Sequence, residues 1–311
     1  MEYITLKNSQ LRVSRVCMGG CPMGGYGWGQ VQETQLLDAV RTALDNGINF
    51  FDTADTYGLG QSELTLGRAL GARLREAVIA TKFGVRVENG KTFYDNSPQW
   101  IRTACENSLR RLNTDHIDLY QIHYRDGKTP IREVLQALEQ LRAEGKIRYF
   151  GLSNLTAGDY PELANCRRSF VSLQNQYSLA AREQEQTLVS LCRDLEVSPL
   201  TWGSLGQGIL TGKYDRNAVF GADDRRSREI YVNFHGEKLM KNLQIVEHMR
   251  TVAAAHGKPV SAVAVRFILD HLPDSVVLCG VKTPQQLLHN AAALGWQLTR
   301  EELRMLDEVS R

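Results

Sequence analysis

The chain has 311 residues, of which 42% are hydrophobic, and 37 basic and 35 acidic residues leave a formal net charge of +2. So balanced a charge gives no electrostatic reason to expect a nucleic acid or a membrane as partner, and no apolar run approaches the roughly 18 residues of a spanning helix. The N-terminus lacks the apolar stretch of a signal peptide, so we expect a cytoplasmic protein with reduced cysteines. Cys17 and Cys21 are weak candidates for metal ligands, and we predict no metal site because no second pair with zinc-type spacing follows.

In chain order, a short hairpin over 4–13 with its turn at Asn8-Ser9 comes first, and short strands then alternate with longer segments of helical period. The predicted strands cover 16–19, 49–52, 77–81, 117–123, 149–153, 171–174, 198–202 and 275–278. The predicted helices cover 32–46, 98–112, 130–144, 181–195, 258–272 and 284–294. Ser97 and Thr129 are suitable N-caps, each followed by a proline at the first helical position.

Eight strand–helix alternations without a linker favour one (β/α)8 TIM barrel of the α/β class over two domains. A doubly wound sheet is the competing fold, but the residues after the first strand, MGGCPMGG at 18–25, do not fit the G-x-G-x-x-G dinucleotide fingerprint. The opening hairpin is placed to plug the N-terminal mouth of the barrel. The long irregular stretch over 213–235 is then expected at the opposite, active-site face.

Four polar residues follow three successive predicted strands: Asp52 and Tyr57 after the second, Lys82 after the third and His123 after the fourth. Reduction of a carbonyl group needs a proton on oxygen, which a phenol can supply, although its pKa of about 10 must fall by about three units to approach neutrality. An adjacent Lys82 ammonium would favour the phenolate, Asp52 would hold that ammonium, and His123 would orient the carbonyl oxygen. Each residue alone is more often structural, and Lys82 alone could instead be a Schiff-base lysine. A metallohydrolase is disfavoured because no His-x-His closes the first strand.

Three segments carry a resemblance to a known family. They are FDTADTYG at 51–58, followed by Ser62-Glu63 and Leu66-Gly67, then RLNTDHIDL at 111–119 leading to His123, and GKIRYFGLSN at 145–154. In this order and over about residues 3–308, the chain resembles the aldo-keto reductase superfamily, and in particular the branch of bacterial NADP-dependent reductases and potassium-channel beta subunits. The resemblance implies a single barrel domain over 1–311 with an N-terminal β-hairpin plug, an NADP(H) cofactor and the four catalytic roles above.

The resemblance also implies a set of cofactor contacts. Ser153, Asn154 and Gln174 would hold the nicotinamide carboxamide, and Trp202 would stack on the nicotinamide ring. Around the pyrophosphate, the implied contacts are Gly203, Ser204, Leu205, Gly208, Lys213 and Arg226. Gly203-Ser204 stands where the branch usually has Ser-Pro, and glycine leaves this turn freer.

The adenosine end of the cofactor is expected after the eighth strand, where Gly280, Lys282, Gln286 and Asn290 fit the branch. Lys282 could neutralise a 2′-phosphate, which favours NADPH over NADH. His289 replaces a usual glutamate in contact with the adenine, so the affinity for the cofactor and this preference are expected to depend on it.

The substrate pocket is expected to include Tyr26, Trp28, Phe83 and Tyr124, with Arg125 and the arginines of 225–228 near its mouth. The predicted function is therefore reversible, NADPH-dependent reduction of an aldehyde or ketone to the alcohol, with a sugar or keto-sugar among the candidate substrates. The alternative is a cofactor-sensing protein of the channel beta-subunit kind, and a lyase acting through Lys82 is more remote. The oligomeric state is left open.

Overall fold

Eight parallel strands close into a barrel in the computed structural model of the chain, which describes residues 1–25 and 27–311. Four further strands form two small antiparallel pairs outside the barrel. In chain order, all the described strands are β1 (Tyr3–Thr5), β2 (Arg12–Ser14), β3 (Val16–Gly19), β4 (Phe50–Asp52), β5 (Val78–Phe83), β6 (Val85–Glu88), β7 (Lys91–Tyr94), β8 (Ile117–Ile122), β9 (Ile147–Ser153), β10 (Ser172–Gln176), β11 (Ser198–Trp202) and β12 (Val276–Gly280). The two pairs outside the barrel are β1–β2 and β6–β7. Around the barrel the order is β3-β4-β5-β8-β9-β10-β11-β12, and β12 pairs with β3 to close it. The predicted barrel is confirmed, and its strand boundaries shift by at most two residues.

Helices surround the barrel and cover its outer face. They are α1 (Glu33–Asp45), α2 (Gln61–Leu70), α3 (Pro98–Leu112), α4 (Ile131–Ala143), α5 (Tyr160–Leu163), α6 (Glu185–Asp194), α7 (Gly236–His256), α8 (Val260–His271), α9 (Pro284–Ala291) and α10 (Arg300–Ser310). Ser97 caps α3 as predicted, because its hydroxyl accepts a hydrogen bond from the Trp100 amide at 3.4 Å. By contrast, α4 begins one residue later than predicted, with Pro130 as its N-cap and extended backbone there.

Four helices, α2, α5, α7 and α10, are missing from the sequence-based prediction. The α7 helix is the longest, but its apolar residues do not form one clear stripe, so the helical period is weak. The α10 helix has a capping box in which Thr299 and Glu302 satisfy each other's backbone amides, a signal that the sequence does carry. Of the described helices, none is long and apolar enough by itself to cross a membrane, although α7 and α8, bent by 94°, pass that test as a pair.

The N-terminal hairpin closes one end of the barrel. Leu6 and Leu11 from this hairpin are buried against inward-facing strand residues such as Phe50 and Leu119. The backbone amide of Lys7 donates to the Ser198 hydroxyl at 2.9 Å, which fixes the hairpin on the N-terminal end of β11. The predicted plug is therefore confirmed.

Inside the barrel, apolar side chains at the plugged end give way to polar ones at the open end. Successive strand residues point to opposite faces, so Phe50 and Asp52 share the inner face of β4, while Phe51 between them packs outward. By the same alternation, Ala80 and Lys82 face inward on β5. The interior thus changes from hydrocarbon to charge within one two-residue step.

Two connections at the open end shape the approach to this polar layer. One is the antiparallel pair β6–β7, which leaves the barrel after β5 and was not predicted. The other runs over 213–235 between β11 and α7, as predicted, and contains the short 3-10 helices Arg225–Ser227 and Val232–Phe234.

Candidate active site

A buried ion pair with a phenol beside it lies at the open end of the barrel. Lys82 Nζ donates to Asp52 Oδ1 at 2.5 Å, to the Thr53 carbonyl oxygen at 2.9 Å and to the Tyr57 hydroxyl oxygen at 3.4 Å. The Lys82 and Asp52 side chains are only 1% and 3% exposed, so the pair is almost wholly removed from water. Three of the residues predicted to act together therefore make direct contacts.

The Asp52 carboxylate is held by two amides as well as by the ammonium. Its Oδ2 accepts from Gln121 Nε2 at 3.0 Å and from Gln174 Nε2 at 2.8 Å. Both glutamines are buried and reach the carboxylate from β8 and β10. A buried charge is costly unless it is paired and hydrogen-bonded, and here every carboxylate oxygen has a donor.

The pKa of the Tyr57 phenol is raised, in contrast to the sequence-based expectation that it falls towards neutrality, so the phenol keeps its proton at neutral pH. Burial raises the pKa of Tyr57 well above its usual value, and the nearby Cys21 thiol and Asp52 carboxylate act in the same direction. Lys82 was expected to lower this pKa towards neutrality, but burial has the larger effect, and the Lys82 ammonium is also paired with Asp52 at 2.5 Å. Lys82 donates a hydrogen bond to the neutral phenol.

The His123 imidazole is neutral and lies beside Tyr57. The two ring centroids are 5.9 Å apart and the planes are nearly perpendicular, at 81°. Burial, and then the positive charge of Lys82, hold the pKa of His123 well below its usual value. Its Nδ1 has no hydrogen-bond partner among the residues that the structure describes. A neutral imidazole keeps one donor and one acceptor nitrogen, so His123 can donate a hydrogen bond without carrying a charge.

The serine and glutamate that follow Tyr57 in the sequence fix the loop that carries it. The Ser62 hydroxyl donates to the Gly20 carbonyl oxygen at 2.7 Å and lies 2.7 Å from the Thr53 hydroxyl. Glu63 is fully buried, and its carboxylate accepts from the Thr81 hydroxyl and from Arg111 Nε, each at 2.6 Å. The signature residues thus join the ends of β3, β4 and β5 into one rigid unit.

A cavity of about 880 Å³ opens above the polar layer. Tyr57 and His123 line its deep end, and residues from the loops after β3, β11 and β12 line the rest. The predicted residues among its lining are Trp28, Asp52, Tyr57, His123, Tyr124, Asn154, Gln174, Trp202, Gly203, Ser204, Leu205, Gly208, Lys213, Arg226, Gly280, Lys282, Gln286 and Asn290. His289 also lines it.

Positive charge concentrates along one side of this cavity. Burial, and then repulsion from Arg226 and Lys213, lowers the pKa of Lys282. Arg226 is 8% exposed, pairs with Asp224 and packs over the Phe220 ring at 4.5 Å. Three cations close enough to repel one another, with a single carboxylate among them, form a site suited to a multiply charged anion.

The turn after β11 presents a backbone that only a chain rich in glycine adopts easily. Gly203 and Gly208 have φ angles of +68° and +105°, in the region that side chains disfavour. Glycine at position 203 therefore adopts this geometry without the strain that a side chain brings, although Gln207 in the same turn also has a positive φ, of +55°. Just before the turn, the Trp202 indole donates to Asn154 Oδ1 at 3.0 Å, so the ends of β9 and β11 are linked.

Four predicted site residues do not line the cavity, and a fifth lies outside the described residues. Lys82 lies beneath the lining, with its ammonium in contact with Asp52 and Tyr57. Phe83 follows the inward-facing Lys82, so it points outward, where its fully buried ring packs on Tyr120 at 4.7 Å. Ser153 is buried, and its hydroxyl donates to the Gln174 carbonyl oxygen at 2.8 Å. Arg125 was expected near the mouth of the cavity, but its guanidinium does not line the cavity and instead pairs with Glu162 at 2.8 Å. The residue outside the described part is Tyr26.

Three further residues of the site escaped the sequence-based prediction. Gln121 stands two positions before His123 and so shares its strand face, a signal that period-two alternation provides. Cys21 lines the cavity, and its Sγ accepts from the Trp28 indole at 3.3 Å. Tyr231, in the long loop, packs edge-on against Trp28 at 5.9 Å, a contact between residues about 200 positions apart that no local pattern indicates. Of the described residues, no three His, Cys, Asp or Glu side chains form a group that could hold a metal ion.

Comparisons with known proteins agree on one family. The model of the Aldo/keto reductase family matches residues 15–311. A glycerol dehydrogenase from Gluconobacter oxydans has a similar structure, with a TM-score of 0.89 and 35% identity over 99% of this chain and 94% of that chain. An aldo-keto reductase from Klebsiella pneumoniae in complex with NADPH has a TM-score of 0.76 and 27% identity over 100% of this chain and 96% of that one. The NADH-specific methylglyoxal reductase of Escherichia coli is 30% identical over 326 residues, which cover 100% of this chain and 98% of the relative.

Proposed function

Because this chain belongs to the aldo/keto reductase family, we propose that it is an NADPH-dependent oxidoreductase that reversibly reduces an aldehyde or ketone to the alcohol. The observation that carries the proposal is the contact of Lys82 Nζ with both Asp52 and the Tyr57 hydroxyl, at 2.5 and 3.4 Å, on the floor of a large cavity. The contact brings together a proton donor, Tyr57, the ammonium that stabilises its anion, Lys82, and the carboxylate that holds this ammonium, Asp52. All three lie where a ligand can enter.

Tyr57 is the general acid of the proposed reduction. Its phenol is neutral, since burial raises its pKa, so it carries the proton that the carbonyl oxygen must receive. As the proton leaves, negative charge develops on the phenolate oxygen, and the Lys82 ammonium at 3.4 Å then becomes its hydrogen-bond donor and counter-charge. In the direction of alcohol oxidation, the same oxygen takes the proton back.

His123 orients the carbonyl group and Asp52 orients the lysine. The neutral imidazole donates from one ring nitrogen to the carbonyl oxygen, which adds a second donor beside the phenol without introducing another charge. Asp52 keeps the ammonium pointed at Tyr57, because its own position is fixed by Gln121 and Gln174. In this proposal, Asp52 supports the reaction and exchanges no proton.

The donor set of the cavity fits a nicotinamide dinucleotide. Bound there, the cofactor supplies the hydride that the carbonyl carbon receives, a chemistry that amino-acid side chains lack. Asn154 and Gln174 provide amide groups for the carboxamide, with Ser153 behind them, and Trp202 provides an indole face for the ring. The glycine-rich turn at Gly203, Ser204, Leu205 and Gly208 leaves the backbone open for a pyrophosphate.

Three cations favour NADPH in this proposal. Lys282, Arg226 and Lys213 stand where a 2′-phosphate and the pyrophosphate bring negative charge, whereas NADH lacks the 2′-phosphate. Gly280, Gln286 and Asn290 complete the adenosine end, with the exposed His289 beside them. The relatives include a structure in complex with NADPH and a reductase named as NADH-specific, so the preference has to be measured on this chain.

The substrate end of the cavity is lined mainly by rings. Trp28, Tyr57 and Tyr124 surround the position beside His123, and the Arg225 guanidinium lies 5.8 Å above the Trp28 ring. This lining suits a carbonyl compound with a flat or apolar substituent, and the guanidinium also admits a polar or anionic one, such as a sugar. In this proposal, Tyr57, Lys82 and His123 determine the reaction class, and the aromatic residues and Arg225 determine the range of substrates.

The test is the loss of NADPH absorbance with a panel of aldehydes, run with wild-type protein and Tyr57→Phe, with NADH in parallel. Removing the phenolic proton donor lowers kcat by about 10²–10⁴-fold. Because phenylalanine keeps the ring and its packing, the variant is expected to bind NADPH with unchanged affinity. Measurement of cofactor fluorescence on binding provides that control.

Three other outcomes would assign different functions. Full activity of Tyr57→Phe would overturn the role of the phenol. Tight NADPH binding without turnover of any carbonyl compound would favour a cofactor sensor. Trapping of substrate on Lys82 by borohydride would favour a Schiff-base lyase.

A further inference from the structure

A row of stacked rings leads from the protein surface to His123. Tyr94, the last residue of β7, is 45% exposed and stacks on Tyr124 with centroids 5.0 Å apart and planes at 16°. Tyr124 in turn stacks on His123 at 5.1 Å and 26°. Both separations lie in the range in which offset aromatic stacking is favourable. Tyr124 therefore has two stacked partners, and one of them comes from a hairpin outside the barrel.

The backbone around Tyr124 is tied to the base of the same hairpin by Asn96. This asparagine is fully buried, and its Nδ2 donates to the Tyr124 carbonyl oxygen at 3.0 Å. Its Oδ1 accepts from the Asp126 amide at 2.9 Å, and its own amide donates to Asp126 Oδ2 at 2.8 Å. The backbone of Tyr124 is thus fixed, so its ring can move only by side-chain rotation, which the Tyr94 ring restricts.

We propose that Tyr94 is a positioning residue that sets substrate selectivity by holding the Tyr124 ring as a fixed wall of the carbonyl pocket. This inference rests on the proposed carbonyl reductase function. A carbonyl group that reaches both Tyr57 and His123 carries its substituent next to Tyr124, since the Tyr124 ring stacks on His123 and lines the same cavity. A fixed flat wall favours carbonyl compounds with a planar substituent that stacks on it.

Small aliphatic aldehydes are not long or flat enough to use this wall. Their binding depends on the polar contacts at Tyr57 and His123, which the Tyr94 ring does not touch. Loss of the Tyr94 ring releases side-chain rotation of Tyr124, so a planar substituent must then immobilise the wall on binding. The selectivity between the two substrate types is therefore the property that Tyr94 controls.

The experiment compares kcat and KM for propanal and 4-nitrobenzaldehyde, with saturating NADPH, in wild-type protein, Tyr94→Ala and Tyr94→Phe. In Tyr94→Ala, KM for the aromatic aldehyde is expected to rise by about fivefold, the size that loss of one stacked pair implies. Its kcat and both constants for propanal stay within about twofold of wild type. Tyr94→Phe keeps the ring and is expected to restore wild-type KM.

Phe93→Ala is the matched control. Phe93 is the neighbouring residue of β7, is similarly exposed at 40%, and lies under Arg86 at 5.1 Å, with no ring contact to Tyr124 described. Its removal is expected to leave the selectivity unchanged. A change as large as that of Tyr94→Ala would show that the hairpin as a whole, and not the Tyr94 ring, is responsible.

Two results would overturn the inference: an unchanged KM for the aromatic aldehyde in Tyr94→Ala, or an equal loss for both aldehydes, which indicates general damage to the fold. A wild-type chain that turns over neither these two aldehydes nor any other carbonyl compound of the panel would refute the reductase proposal separately. In that case, the role of Tyr94 is tested by fluorescence titration of both proteins with 4-nitrobenzaldehyde. Weaker binding to Tyr94→Ala than to wild type supports a fixed Tyr124 wall, and equal binding overturns it.

Discussion

At its plugged end the barrel interior is filled by Leu6 and Leu11 of the hairpin and by Phe50 and Ala80 of β4 and β5, whereas two residues further along these two strands it holds Asp52 and Lys82. Both layers are buried to a similar degree, but the first gains stability from apolar area removed from water, and the second must compensate the desolvation of two charges. The comparison indicates that the barrel separates stability from catalysis by position along the strand. The hairpin end stabilises the fold, and the open end carries the charged groups that the proposed reaction needs.

The largest expected effect tests the open end by removing both charges at once. In Asp52→Asn with Lys82→Met, Tyr57 loses the ammonium that stabilises its anion, so kcat is expected to fall by about 10³-fold. The free energy of unfolding is expected to stay within about 1 kcal/mol of wild type or to rise, because neither member of a buried pair is left uncompensated. Turnover of NADPH and urea unfolding measure the two quantities. A loss of stability above about 2 kcal/mol would mean that the pair holds the fold together, and the comparison would fail.

The second prediction tests the plugged end. In Leu6→Ala a buried side chain from the hairpin is lost, and the free energy of unfolding is expected to fall by about 3 kcal/mol, through lost burial and the cavity that remains. The catalytic layer keeps all its contacts, so kcat is expected to stay within about twofold of wild type. Urea unfolding and the reductase assay again measure both. Equal impairment of stability and kcat would show that the two layers are coupled.

The smallest expected effect is the pH dependence of carbonyl reduction. The pKa of Tyr57 is raised and that of His123 is lowered, so the phenol stays protonated and the imidazole neutral across the intermediate range. We therefore expect kcat/KM to change by less than about twofold between about pH 6.5 and 9. A steady tenfold loss per pH unit above neutrality would instead mean that Lys82 lowers the phenol pKa, as the sequence alone suggested. The profile thus measures how completely Asp52 neutralises the lysine.

The sequence predicts the barrel and its polar centre well because both follow from local patterns. Strand–helix alternation indicates the fold, and Asp52, Lys82 and His123 at successive strand ends indicate a shared rim. The same two-residue period would have excluded Phe83 from the pocket, since it follows the inward-facing Lys82. Phe83 was placed in the pocket because the two-residue alternation of side chains was not applied to this strand.

Other features depend on partners that lie far away in the sequence. Arg125 pairs with Glu162, and burial raises the pKa of Tyr57; no local motif shows either feature. The β6–β7 hairpin was missed although the sequence carries its signal: β6 alternates as Val-Arg-Val-Glu, and Asn89-Gly90 between the two strands is a typical two-residue hairpin turn. Yet this hairpin brings Tyr94 to the pocket wall.

The N-terminal plug also has a consequence for the timing of synthesis. Its side chains meet partners that the ribosome makes much later: Asn8 Nδ2 donates to the carbonyl oxygens of Phe170 and Glu196 at 3.3 and 2.8 Å, and Glu2 Oε1 accepts from Arg266 at 2.9 Å. The last barrel strand, β12, likewise pairs with the first, β3. The hairpin residues must therefore wait for segments up to 264 positions later in the sequence before they can dock, so closure of the plugged end of the barrel is a late step of folding.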